Sequence, residues 1–78
     1  MIIVSQDKNE IINFDRITEI VVSENNICIA DRIEQEKGYI IAEYKTNERA
    51  KEVLNEIIEQ YQKICENTYF IVYDMPED

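Results

Sequence analysis

Histidine is absent from this chain of 78 residues, and so is tryptophan. Histidine is the most frequent general base, a common metal ligand and the residue that activates serine and cysteine nucleophiles. Two cysteines without histidine cannot complete a usual zinc site. The composition therefore predicts a protein that is not an enzyme and that has no metal site.

Glycine and cysteine are scarce. A single glycine excludes the glycine-rich loops that hold phosphates in Walker-type and dinucleotide-binding sites, so no cofactor is expected. Cys28 and Cys65 occur without a CxxC motif, and the first residues (MIIVSQDK) are too short to target or to span. We expect two reduced, buried thiols in a cytoplasmic protein, with a Cys28–Cys65 disulfide as the alternative.

Basic residues are few: 8 against 17 acidic residues, for a net charge of −9. This balance predicts no direct contact with nucleic acid and none with an anionic membrane, and no apolar run is long enough to cross one. The charge favours solubility or attraction of a basic partner. A chain this short predicts a single domain, residues 1–78, whose marginal stability favours a homo-oligomer, a dimer or larger.

The most regular pattern covers residues 46–66, where apolar side chains recur with helical spacing. They are Ala50, Val53, Leu54, Ile57, Ile58, Tyr61, Ile64 and Cys65. Thr46 suits the N-cap, and Glu48 falls in the first turn, where a carboxylate is favoured. A helix of this length spans about 30 Å and has to bury its apolar face, for which a sheet is the natural partner.

Short runs of β-branched and aromatic residues predict strands at residues 2–5, 11–14, 17–23, 27–33, 39–45 and 68–74. The order β-β-β-β-β-α-β predicts an α+β fold: an antiparallel β-meander with one long amphipathic helix packed on one face and a C-terminal strand. Pro76 predicts the end of regular structure, with residues 75–78 as a tail.

Aromatic and arginine side chains are the candidates for a ligand site. Aromatic rings can stack on a base, and arginine can bind phosphate with two hydrogen bonds. The predicted ligand-binding residues are Phe14, Arg16, Arg32, Tyr39, Tyr44 and Arg49. The alternative is that the tyrosines pack in the core and that each arginine balances its acidic neighbour (Asp15, Asp31 or Glu48).

Four segments taken together resemble a family of short phage and prophage proteins of Gram-positive bacteria. They are VSQDK at residues 4–8, INFD at 12–15, EYKTNERAKEVLNEI at 43–57 and YDMPED at 73–78. The resemblance covers most of the chain. It implies a small phage-type accessory protein in the cytoplasm of a bacterial host cell. No functional residue can be carried over from the family. The resemblance favours a protein that acts against host defence.

Two functions fit that expectation. The first is a homo-oligomer that binds and sequesters a nucleotide-derived immune signal through the aromatic and arginine residues. The alternative is an acidic inhibitor that binds a basic host protein, either a defence protein or a nucleic-acid-binding protein, through the acidic stripe of the helix (Glu48, Glu52, Glu56 and Glu59) or a sheet edge. A structural or regulatory phage protein without a ligand is also compatible with the sequence.

Overall fold

The computed structural model describes residues 1–31, 39–67 and 70–78. The elements follow in the order β1 (Ile2–Val4), β2 (Ile11–Asn13), β3 (Ile17–Ser23), β4 (Asn26–Asp31), β5 (Tyr39–Glu43), α1 (Asn47–Asn67) and β6 (Val72–Asp74), with a 3₁₀ turn at Phe14–Arg16 between β2 and β3. This order confirms the predicted α+β fold. Residues 32–38, 68 and 69 lie outside the described residues, including parts of two predicted strands.

The strands form two three-stranded sheets, β2-β1-β6 and β3-β4-β5. In the first sheet, β1 runs antiparallel to β2 and parallel to β6, so that Ile3 lies opposite both Ile12 and Tyr73. The C-terminal strand of the predicted fold is β6. Its parallel pairing is possible because α1 carries the chain back, and parallel strands need such a crossover connection.

The second sheet is antiparallel throughout. A two-residue turn joins β3 to β4, where Ser23 pairs with Asn26. The backbone carbonyl of Asn25 accepts a hydrogen bond from Tyr44 N at 2.9 Å, and Gln6 N donates to Ile41 O at 3.1 Å. The second of these contacts joins the end of β1 to β5, so the two sheets meet at that point.

Helix α1 begins as predicted, because Thr46 Oγ1 accepts a hydrogen bond from Arg49 N at 3.0 Å and caps the first turn. Its first half is buried: Ala50, Val53 and Ile57 are at most 1% exposed. The second half is different, since Ile58 is 46% and Tyr61 41% exposed. The expectation that the whole apolar face covers the core therefore holds for the first half of the helix and for Ile64, which is partly buried against the core, but not for Ile58 and Tyr61.

One hydrophobic cluster contains residues of both sheets, the helix and both terminal segments: Met1, Ile3, Ile12, Ile27, Ile29, Ile41, Ala42, Tyr44, Ala50, Val53, Ile57 and Met75. Met75 is fully buried although the sequence placed it in a tail. Cys28 and Cys65 are free cysteines, but the expected burial is wrong for Cys65, which is exposed, and Cys28 is only half-buried. Among the described helical residues there is no segment apolar and long enough to cross a membrane.

Candidate functional site

A groove of about 580 Å³ lies between the Phe14–Arg16 turn, strand β3 and the second half of α1. This volume falls in the range of small-molecule and side-chain binding sites. The groove is lined by Phe14, Asp15, Ile17, Glu19, Ile20 and Tyr61. We call it the aromatic groove, because the rings of Phe14 and Tyr61 pack with their centroids 5.3 Å apart and their planes tilted by 55°.

The 3₁₀ turn fixes the position of Phe14. Asn13 Oδ1 accepts a hydrogen bond from Asp15 N at 3.1 Å and caps the turn, while Phe14 N donates to Met1 O at 3.1 Å. The turn therefore holds the Phe14 ring against α1, where it contacts Tyr61 from the exposed part of the helix. A tilted aromatic pair at this distance is a favourable arrangement.

The charges of the aromatic groove have one sign. Asp15 and Glu19 are acidic, and the described residues that line the groove include no lysine or arginine. The Asp15 carboxylate lies 3.9 Å from the Met1 amino group, and Glu19 has no ion pair or hydrogen bond within the described part of the chain. Aromatic faces and carboxylates both attract cations, whereas two carboxylates repel phosphate. The groove is suited to an ammonium or guanidinium group.

A second cleft, of about 180 Å³, lies on the other side of the turn. It brings together two of the predicted ligand-binding residues, Arg16 and Tyr39, and it is also lined by Glu10, Asn13 and several isoleucines. Arg16 is exposed and has no ion-pair partner among residues 1–31, 39–67 and 70–78. Tyr39 is 48% exposed. In this arginine–tyrosine cleft, a guanidinium group and an aromatic ring are placed where they could bind an anionic ligand.

Tyr44 and Arg49 lie elsewhere, in contacts that hold residues 75–78. Tyr44 is 3% exposed, and its hydroxyl donates to Pro76 O at 2.8 Å. Arg49 Nε donates to Asp78 O at 2.9 Å, and its Nη1 donates to Glu52 Oε1 at 3.1 Å. The guanidinium also lies 5.9 Å from the centre of the Tyr44 ring, a distance typical of a cation–π contact.

Glu56 and Tyr73 complete these contacts, which we call the tail clasp: Tyr44, Arg49, Glu56 and Tyr73 together with residues 75–78. Tyr73 Oη donates to Glu56 Oε1 at 2.6 Å. Burial, and then the carboxylate of Glu56, raise the pKa of Tyr73 above its ordinary value. Burial likewise raises the pKa of Tyr44 to about 12, against the opposing effect of Arg49. Both hydroxyls therefore stay protonated and act as donors.

The six predicted ligand-binding residues are thus divided among three places. Phe14 lies in the aromatic groove, Arg16 and Tyr39 line the arginine–tyrosine cleft, and Tyr44 and Arg49 belong to the tail clasp. Arg32 lies outside the described residues. The 3₁₀ turn separates Phe14 from Arg16, because it directs the two side chains to different cavities.

Sequence reasoning missed three residues of the aromatic groove: Asp15, Glu19 and Tyr61. Tyr61 carried a signal, since a tyrosine at the end of an apolar helical face can place its ring against the core and its hydroxyl at the rim. Asp15 and Glu19 carried none, because acidic residues are common throughout this chain.

The described residues contain no group of three histidine, cysteine, aspartate or glutamate side chains that could hold a metal ion. No protein-family model matches the chain, and comparison with curated proteins and with solved structures gave no match.

Proposed function

We propose that this chain is a non-enzymatic, phage-type accessory protein that binds and inhibits a basic host protein, either a defence protein or a nucleic-acid-binding protein. The observation that carries the proposal is the aromatic groove, where two rings and two carboxylates line one cavity without a basic side chain among its described lining residues. The cytoplasm of a bacterial host cell is the proposed location.

Charge supports this choice both at long range, through the net charge of the chain, and locally, through the carboxylates of the groove. A net charge of −9 accelerates encounter with a basic protein and slows encounter with an anionic one. Within the groove, an inserted arginine or lysine side chain would stack on Tyr61 or Phe14 and pair with Glu19 or Asp15. A phosphate would meet two carboxylates without a lysine or arginine side chain among the described residues that line the groove.

The groove supports this function better than the acidic stripe of α1. Glu52 and Glu56 of that stripe lie 3.1 Å and 3.9 Å from the Arg49 guanidinium, and Glu56 also accepts a hydrogen bond from Tyr73. The Glu56 carboxylate therefore belongs to the tail clasp, and the Glu52 carboxylate is paired with Arg49. Reversing the charge at Glu56 would disturb the fold as well as the surface, which makes it a poor test of partner binding.

A basic decapeptide of alternating arginine and glycine is a suitable probe for the groove. Its binding is followed by chemical shifts of backbone amides at physiological salt, where non-specific attraction is screened. We expect the largest shifts at the residues that line the aromatic groove. Tyr61→Ala should weaken binding by about 5–30-fold, because a cation–π contact contributes about 1–2 kcal/mol and every 1.4 kcal/mol is tenfold.

Matched charge variants separate groove binding from general attraction. Glu19→Gln removes one charge from the groove, and Glu77→Gln removes one charge from an exposed side chain outside it, in the C-terminal segment of the tail clasp. Glu19→Gln should weaken binding several-fold and Glu77→Gln by less than about twofold. Equal effects of the two variants would show that the peptide follows net charge alone, and the proposed groove function would be wrong.

Sequestration of a nucleotide-derived signal is the second candidate. It is favoured by one observation, the presence of Arg16 and Tyr39 in the same cleft. The described cleft, at about 180 Å³, is smaller than most ligand pockets, so this function would need a homo-oligomer in which another copy completes the site.

Thermal unfolding with a panel of cyclic dinucleotides and ADP-ribose derivatives tests the second candidate. A stabilising nucleotide should lose its effect in Arg16→Ala and keep it in Arg49→Ala, whose side chain belongs to the tail clasp. If no nucleotide raises the unfolding temperature of the folded protein, sequestration is excluded for that panel.

A further inference from the structure

The first sheet, β2-β1-β6, has two faces of different composition. Ile3, Ile12 and Tyr73 lie opposite one another in register, and they face the core. Because successive side chains of a strand point to opposite sides, the outer face carries the residues between them. This outer face consists of Ile2, Val4, Ile11, Asn13, Val72 and Asp74.

The outer face is apolar and exposed. Ile11 is 72% and Val72 57% exposed, and Phe70, two residues before Val72, is 65% exposed. Val4 lies between Ile11 and Asp74 in register, and Ile2 lies between Asn13 and Val72. A sheet with one solvated face normally alternates apolar and polar side chains, whereas a sheet that is apolar on both faces is covered on both. The composition of this face indicates that something covers it.

The charge of the outer face indicates which kind of partner covers it. Asp74 is the single charged residue of the outer face, and its carboxylate is ion-paired with Lys8 Nζ. The face is therefore close to neutral in a chain of net charge −9. A basic partner finds no unpaired carboxylate there, but two copies of this chain can meet on the face without bringing like charges together.

The outer face of the second sheet differs in this respect. It also carries apolar side chains, with Val21 at 40% and Ile40 at 55% exposure, and Cys28 lies between them in register. However, Glu19 and Glu43 lie on strands of the same sheet and are exposed. Two copies meeting there would bring at least the two Glu43 carboxylates together, so self-association favours the first sheet.

We propose that the outer face of the β2-β1-β6 sheet is the interface of a homodimer, in which two copies pack these faces together across a twofold axis. In a twofold dimer the same apolar face of each copy packs against the other, and sheet-on-sheet packing is a common arrangement. The proposal does not depend on the partner of the aromatic groove. Ile11 belongs both to this face and to the rim of the arginine–tyrosine cleft, so the second copy borders that cleft.

Sedimentation velocity over a concentration series up to about 200 μM tests the proposal, since an interface that functions in a cell should form in this range. The wild-type chain is expected to sediment with twice the chain mass. The double variant Ile11→Thr/Val72→Thr removes apolar groups from the two exposed apolar strand positions of the face and keeps β-branched side chains. We expect it to raise the dimer dissociation constant at least tenfold.

Val21→Thr is the matched control, because it makes the same change on the outer face of the other sheet. The dimer dissociation constant of Val21→Thr should stay within about twofold of the wild-type value. Circular dichroism should show that all variants fold. A wild-type chain that remains monomeric overturns the proposal. So does a dimer that survives the double variant, as edge-to-edge strand pairing would, because such pairing does not use the outward side chains.

A cysteine at the centre of the face gives a positional test. Val4→Cys in a Cys28→Ser/Cys65→Ser background should form a disulfide-linked dimer on mild oxidation, because a twofold axis near β1 brings the two side chains together. The same background with Val21→Cys should stay unlinked. Linking through residue 21 but not through residue 4 would place the contact on the second sheet and overturn the proposal.

Discussion

The two halves of α1 carry the same apolar pattern and lie in different surroundings. In the first half, Ala50, Val53 and Ile57 are buried against the sheets, and Arg49 and Glu56 on the polar side hold the tail clasp. In the second half, Ile58 and Tyr61 are more than 40% exposed, and Tyr61 forms a wall of the aromatic groove. Amphipathic spacing therefore predicts the helix, but tertiary contacts decide which part of its apolar face stabilises the fold and which part is available for binding.

Adjacent isoleucines on the helix give the largest expected contrast. Ile57→Ala should lower the free energy of unfolding by about 3 kcal/mol, because the side chain is 1% exposed and its removal leaves a cavity. Ile58→Ala, at 46% exposure, should cost less than about 1 kcal/mol. Urea unfolding followed by circular dichroism measures both. Similar losses for the two variants would mean that the second half of α1 is as buried as the first.

A second comparison concerns Glu56 and Glu52, which lie on the polar side of the first half of α1. Both approach Arg49, but only Glu56 also accepts the Tyr73 hydroxyl. Glu56→Ala should cost about 1–2 kcal/mol, because it leaves a half-buried hydroxyl without its charged acceptor. Glu52→Ala removes an exposed ion pair and should cost at most about 0.5 kcal/mol. Equal costs in urea unfolding would show that the Tyr73 contact contributes nothing.

The N-cap tests whether the start of α1 is fixed by its own first turn. Thr46→Ala removes the oxygen that accepts from Arg49 N and should cost about 1 kcal/mol. Thr46→Ser keeps that oxygen and should stay within about 0.5 kcal/mol of wild type. Urea unfolding midpoints of the alanine and serine variants measure this difference in stability. A serine variant as unstable as the alanine variant would point to packing of the threonine methyl group rather than to capping.

How far the sequence could predict this protein depends on the range of the interactions involved. The order of elements, the helix and its Thr46 cap follow from local patterns, and the structure confirms them. The division into two sheets, the parallel β1–β6 pairing and the burial of Met75 depend on contacts between the two ends of the chain, for which local periodicity has no signal.

The candidate site was harder to predict for the same reason. Stacking and phosphate chemistry selected Phe14, Arg16 and Tyr44 as residue types. A 3₁₀ turn of three residues separates Phe14 from Arg16, and the tail clasp buries Tyr44. The acidic groove residues Asp15 and Glu19 became meaningful only once the fold had placed Tyr61 beside them.

Tyr44→Phe should have a small effect on the free energy of unfolding at neutral pH, and the sign of that effect should reverse at high pH. At neutral pH the variant loses the hydrogen bond to Pro76 O and keeps the ring, so it should cost about 0.5–1 kcal/mol. Burial raises the pKa of Tyr44 to about 12, from about 10 in the unfolded chain. The stability that depends on the neutral hydroxyl is therefore present below about pH 10 and lost as the pH rises towards 12.

The phenylalanine side chain has no such ionisation, so Tyr44→Phe should gain on wild type by up to about 2 kcal/mol between pH 10 and pH 12, since each unit of pKa shift is worth about 1.4 kcal/mol. Effects of pH that are common to the two proteins cancel in the difference. Urea unfolding at a series of pH values measures that difference directly. A difference that stays constant from pH 7 to pH 12 would contradict the burial of the Tyr44 hydroxyl in the tail clasp, and with it the contrast between the two halves of the helix.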